Sequence, residues 1–251
     1  MLSVWISAVG LCGASILGSL IGLLFRQMSH KWHDTIMGYC AGIMLAASVV
    51  GLIIPAADMV VLVDCWQVIV GVIIGAIFLN MLDKLTPHLH RITGLEPEEH
   101  KSNSSLNKVL LFVLAIAIHK LPEGIAVGVG FNGAEESDAW SVAFGIALQN
   151  VPEGMVVISP LLLAGVSRIR TLFISISIGL LEVFGVWLGF ALGAISELFL
   201  PSMLAFAGGA MLYVISDEMI PETHAHGYQK MATYALLLGF MTLLFMDKII
   251  G

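Results

Sequence analysis

Long apolar runs alternate with short polar stretches along the whole chain, and this spacing is the most informative property of the sequence. Eight runs stand out, roughly Val4 to Phe25, Ile36 to Ile54, Gln67 to Leu82, Val109 to Gly130, Trp140 to Ala164, Leu172 to Ala194, Met203 to Ile220 and Met231 to Met246. Each approaches the length of about 20 residues that a helix needs to cross a hydrocarbon core. They are too long and too uniformly apolar for barrel strands, and a helix satisfies its own backbone in lipid. The pattern predicts an all-α membrane protein with eight transmembrane helices. The first run is too long and too thinly charged at its start for a cleaved leader, so it belongs to the fold. Residues 1–251 read as a single polytopic domain with one larger polar loop at about 83–108.

Composition agrees and narrows the partners. The 251 residues are 58% hydrophobic and 12% charged, and a mean hydropathy of +0.96 excludes an ordinary soluble domain. The bilayer is one expected partner; nucleic acid is not, because no basic stripe exists. Cys12, Cys40 and Cys65 lie too far apart to suggest a disulfide framework or a structural zinc knuckle. Arg26, Lys31, Lys84, Arg91, Lys101, Lys108, Arg168, Arg170 and Lys230 fall on one side of the predicted spans, and only Lys248 falls on the other. The positive-inside rule then places the 83–108 loop in the cytoplasm and both termini outside it, in a plasma (inner) membrane. Asp58, Asp64, Glu135, Glu136, Asp138 and Glu197 form an acidic outer rim, either a cation attractor or solvated loop charge. The polar, Pro- and Ser-interrupted loop is expected to lack order. Its His88, His90 and His100 suit either metal collection or an inert tether, and His30, His33, His224 and His226 on the same side favour metal handling.

Candidate chemistry is concentrated in two related segments inside the apolar runs. His119-Lys120-Leu121-Pro122-Glu123-Gly124 in the fourth is answered by Gln149-Asn150-Val151-Pro152-Glu153-Gly154 in the fifth. His119 and Gln149 stand four residues before a Glu, Lys120 and Asn150 three, so each Glu shares a helix face with both neighbours. Ionisable groups at such depth are costly unless paired or used, which makes function the default reading. The motifs lie about equally far from the turn between their spans, so an antiparallel hairpin brings them together near mid-membrane. Glu182, alone in the sixth run, lies at the same depth; its bland alternative is a protonated Glu bonded to a neighbouring helix. Glu218 and Glu222, with His224, end the seventh run and suit an exit path for a released cation, or ordinary interface charge.

An internal echo bears on architecture. Gly42-Ile43-Met44-Leu45 running to Ile54-Pro55 resembles Gly209-Ala210-Met211-Leu212 running to Ile220-Pro221, in spans of opposite direction. This predicts inverted three-helix repeats flanking a central two-helix hairpin, a plan of transporters with midplane sites. Chance similarity of Gly- and Met-rich helices competes with that reading.

The paired Pro-Glu-Gly motifs, the intramembrane Glu182, the Ile220-Pro221-Glu222-Thr223-His224 ending and the eight-span plan resemble the Zrt/Irt-like (ZIP) family of divalent-metal transporters over essentially the whole chain. The resemblance implies that His119, Glu123, Gln149 and Glu153 bind the transported ion. It also implies a Met44 that lines the site, although core packing accounts for Met44 as well. It further implies a homodimer, in which the motif hairpin moves against a more static remainder. Some members hold a second ion with residues that correspond to Lys120, Asn150 and Glu182. Here the sequence departs, since a protonated lysine has no lone pair to offer. Lys120, expected on the side of the cluster facing Glu182, would instead supply one positive charge against the three carboxylates and make this a single-ion site. Snorkelling, or pairing with one Glu, is the plainer alternative.

The ligand set itself, one imidazole, one amide and carboxylates, suits a borderline ion such as Zn²⁺ while also accepting Fe²⁺, Mn²⁺, Co²⁺ or Cd²⁺. The sequence therefore predicts uptake of such an ion by alternating access, with no prosthetic group and no enzymatic activity. Two rivals are an intramembrane metalloenzyme, disfavoured because no H-E-x-x-H is present, and a proton-coupled carrier that uses the carboxylates and Lys120 as a relay.

Overall fold

A computed structural model describes residues 1–24, 28–92, 104–133, 136–163, 165–194 and 199–250. Arg26, His100, Lys101, Glu135 and Glu197 lie outside the described residues, as do the side chains of His88 and His90. The described chain forms α1 (Leu2–Leu24), α2 (His30–Ser48), α3 (Ile54–Asp58), α4 (Trp66–Ile92), α5 (Ser104–Gly133), α6 (Glu136–Leu163), α7 (Arg168–Gly193), α8 (Leu200–Val214), α9 (Ile220–Thr223) and α10 (Gln229–Ile250). A π-helical turn, Val49–Ile53, joins α2 to α3, and another, Ile215–Met219, joins α8 to α9. Seven of the resulting rods are long and apolar enough to cross a membrane, and α5, with 30 residues, is the eighth. The protein is an all-α membrane protein.

The two π turns stand at matched places, each directly before an Ile-Pro pair. Proline has no N–H to give the ladder, and its ring crowds the carbonyl four residues back, so the helix widens by one residue there. The packing repeats the match. α2 lies along α10 and α8 along α4; α5 lies along α7 and α6 along α1. Exchanging the first three spans for the last three, and the fourth for the fifth, maps these pairings onto one another, as inverted repeats require.

Close approach between helices rests on small residues, because lipid provides no hydrophobic drive to bring apolar helices together. Gly42 lets α2 approach the carbonyl of Leu236 on α10, and Gly209 lets α8 approach the carbonyl of Val72 on α4; a Cβ at either would collide with that backbone. The two glycines are equivalent members of the Gly-x-Met echo.

Several helices run past the predicted spans, α2 from His30 and α7 from Arg168 among them. α4 continues from Leu82 to Ile92, α5 begins at Ser104 and α6 at Glu136. The expectation of a loop without order from residue 83 is corrected for its helical ends, and residues 93–103 lie outside the described structure. Polar residues mark where a helix leaves hydrocarbon, which is not where its hydrogen bonding stops.

Candidate metal site

α5 and α6 continue through Pro122 and Pro152, so the spacing of each motif is realised on a helix face. Glu123, Gln149, Asn150 and Glu182 are 0% exposed, and Lys120 is 2% exposed. Lys120 is the hub of this cluster. Its Nζ donates to Glu123 Oε2 at 2.8 Å and to Glu153 Oε2 at 2.7 Å, and also to Asn150 Oδ1. It makes no direct bond to Glu182. Asn150 stands between them, its Nδ2 donating to Glu182 Oε1 at 2.8 Å and Oε2 at 3.0 Å. Ser15 on α1 adds a donor to Glu182 Oε2 at 3.4 Å. The expectation that Lys120 faces Glu182 is thus refined: the amide carries the contact.

On the other side of Glu123 lies a cavity of about 410 Å³, lined by Met37, Met44, His119, Glu123, Glu153 and Glu218, among others. It reaches solvent past Asp217, Pro221 and Glu222, at the face where α2 begins. Toward the opposite face the helices close over an apolar layer that includes Ala46, Ala47, Val127, Ile146, Ala207 and Met211. Among the described residues, the cavity that Glu123 and Glu153 line opens at that one face.

Gln149 Nε2 donates to Glu123 Oε1 at 3.1 Å. Its Oε1 is buried and has no hydrogen-bond partner. A buried carbonyl left without a donor is costly, and here it adjoins a carboxylate that borders the cavity. His119 Nε2 contacts Glu218 Oε1 at 2.8 Å, tying α5 to the π turn after α8. This partnership spans 99 residues and had no local signal in the sequence.

Of the residues singled out from sequence, His119, Glu123, Glu153, Met44, Glu218 and Glu222 line the cavity. Gln149 stands behind Glu123, and Asn150 and Glu182 lie beyond Lys120. His224 is exposed and is not among the lining residues; its Nδ1 approaches the Ile220 carbonyl at 2.8 Å. Met37, Val156, Asp217 and Met219 line the cavity without having been singled out.

The family model described as ZIP Zinc transporter matches residues 96–247, which contain both motifs and Glu182. The chain belongs to the ZIP family. It is 38% identical over 244 residues to the zinc transporter GufA of Myxococcus xanthus, covering 95% of each chain. It is 36% identical over 254 residues to the zinc transporter ZIPB of Bordetella bronchiseptica, covering 95% of this chain and 78% of that one. It is 31% identical over 324 residues to the human zinc transporter ZIP11, covering 95% and 94%. ZIP proteins are transporters rather than enzymes, and the intramembrane metalloenzyme reading is set aside. This ZIP protein is a multi-pass membrane metal transporter.

Proposed function

We propose that this protein carries divalent transition-metal ions, zinc foremost, into the cytoplasm by alternating access around the buried cluster. The relatives named as zinc transporters support the substrate, and the mixed nitrogen and oxygen donor set suits zinc while tolerating Fe²⁺, Mn²⁺, Co²⁺ and Cd²⁺. His119, Glu123, Gln149 and Glu153 hold the ion, with Met44 on the cavity wall beside it. The observation that carries this reading is one cavity lined by His119, Glu123 and Glu153, with Gln149 bonded to Glu123 from behind and its own Oε1 buried without a partner. The Gln149 amide nitrogen satisfies Glu123; turning the amide over presents its oxygen to an arriving cation.

Lys120 takes the part of a second ion. Three ionised carboxylates and one ammonium leave two negative charges, which a single divalent ion brings to zero. Two ions beside the ammonium would leave three positive charges uncompensated in a buried site, which is strongly unfavourable. Asn150 and Glu182 accordingly serve to hold Lys120 rather than metal.

Release follows the cavity past Glu218 and Glu222, with His224 at the rim. The positive-inside distribution puts that face in the cytoplasm and both termini outside, so the arrangement with one open side is the inward-facing one. Dimerisation through the helices that do not carry the motifs belongs to the same proposal. Reconstituted into liposomes, the wild-type protein should accumulate radioactive zinc and Glu123→Ala should not; absence of uptake by a well-folded wild type would sink the reading.

A further inference from the structure

Outside the intramembrane cluster, a second group of metal-ligating side chains comes together where α2 begins. Asp34 is 0% exposed. His226 Nδ1 lies 2.9 Å from its Oδ1, and His33 Nδ1 lies 3.5 Å from the same oxygen. The other oxygen, Oδ2, is buried and without a partner. One ligand atom from each of the three residues falls within 4.8 Å of the others. His30 stacks on His226 with ring centroids 4.3 Å apart.

We propose that His33, Asp34 and His226 form a second divalent-cation site at the mouth of the cavity, taking a zinc-like ion on its way out. This goes beyond the transport reading and stands on different residues. An ion pair alone accounts poorly for the arrangement. Two imidazoles crowd one carboxylate oxygen while its twin is buried without a partner. A cation at the centre uses all three groups. Two imidazole nitrogens and one carboxylate oxygen form a three-ligand set for zinc, with the fourth tetrahedral position left to water. Tetrahedral bonds of about 2.0–2.2 Å place ligand atoms about 3.3–3.6 Å apart, so the His33–Asp34 separation of 3.5 Å already fits and the 2.9 Å between His226 and Asp34 must open only slightly. Each imidazole must present a lone pair to the metal, so a proton held on Nδ1 against the carboxylate passes to Nε2 of a neutral ring, or to solvent from a protonated one, when the metal arrives.

Position argues for hand-off rather than for a structural plug. Met37, one helical turn from His33 and Asp34, lines the cavity, as does Glu222, which is close enough to His33 to act on its charge. An ion leaving the cavity past Glu222 therefore meets this group next. An open fourth position allows exchange, whereas a closed four-ligand site would retain the ion.

The test uses the full chain in detergent with cobalt(II), whose visible absorption reports tetrahedral binding. The parent carries His119→Ala and Glu123→Ala to disable the intramembrane site, and His88, His90 and His100 are each replaced by Ala. The parent should bind one cobalt per chain with tetrahedral absorption. His226→Ala and Asp34→Asn should abolish that binding, and the neighbouring Thr35→Ala should keep it. His226 sits in a turn and its ring is only partly buried, so His226→Ala decides the matter if Asp34→Asn fails to fold. A parent that binds no cobalt, or binding indifferent to His226→Ala and Asp34→Asn, would overturn the proposal. The reverse variant, intact at His119 and Glu123 but carrying His226→Ala, reports the intramembrane site alone, so failure of either site is told apart from failure of the other.

Discussion

Replacing Lys120 by Met keeps an unbranched side chain only one heavy atom shorter and removes the cation that lies 2.8 Å from Glu123 and 2.7 Å from Glu153. Breaking a buried ion pair from one side leaves an uncompensated charge and costs about 3–5 kcal/mol. A second route to the magnitude is available, because the bereft cluster can neutralise itself by taking up a proton. Protonating one glutamate at pH 7, against an unfolded value near 4.3, costs about 3.7 kcal/mol at about 1.36 kcal/mol per pH unit. At pH 5 the same step costs about 1 kcal/mol. The sign follows from linkage: in the variant the folded state holds a proton that the unfolded state releases, so stability relative to wild type falls as pH rises above about 4.3. For a chain of this size about 3.7 kcal/mol corresponds to roughly 7–15 °C in unfolding temperature. Thermal unfolding in detergent with metal chelated should therefore show Lys120→Met far below wild type at pH 7 and within about 2–4 °C of it at pH 5. An equal deficit at both pH values, or none at pH 7, would refute the charge-compensating role of Lys120.

Lys120→Asn, which removes the charge but keeps a polar oxygen, should bind one more ion per chain than wild type in equilibrium dialysis with elemental analysis; equal counts would mean that the lysine does not exclude a second ion. His119→Ala should weaken zinc binding more than Gln149→Ala, and Gln149→His should tighten it, since imidazole is the stronger zinc ligand; titration calorimetry giving one affinity for all three would remove both residues from the ligand set. Gly42→Leu and Gly209→Leu should each wedge apart a helix pair and lower folded yield, measured by size-exclusion recovery. Wild-type recovery from both would show that these contacts do not hold the repeats together. Single cysteines at Leu62 and His224 in a cysteine-free background should label from opposite sides with impermeant reagents, and labelling of both from outside would contradict the orientation.

The motif geometry was legible because helical periodicity alone puts His119 with Glu123 and Gln149 with Glu153. The repeat was legible in the Gly-x-Met and Ile-Pro echoes, and its physical basis is a helix widened at Pro55 and Pro221. Helix ends were misjudged at Leu82 and Val109 because hydropathy reports the edge of the hydrocarbon and not the last hydrogen bond. Partnerships over long sequence separation were not legible at all. Nothing near His119 announces Glu218, and nothing near Asp34 announces His226, 192 residues away. The relay from Lys120 through Asn150 to Glu182 was missed for a related reason. Three helices at one depth permit several pairings, and only packing of α1 and α7 against the hairpin selects one.

Anomalous diffraction at the zinc absorption edge, from crystals of the zinc-loaded protein, locates the transported ion relative to the Lys120 ammonium. One intramembrane peak is predicted, bounded by His119, Glu123, Gln149 and Glu153, with the Lys120 ammonium still between Glu123, Glu153 and Asn150. Two intramembrane peaks, or a single peak in the place of the ammonium, would contradict that arrangement.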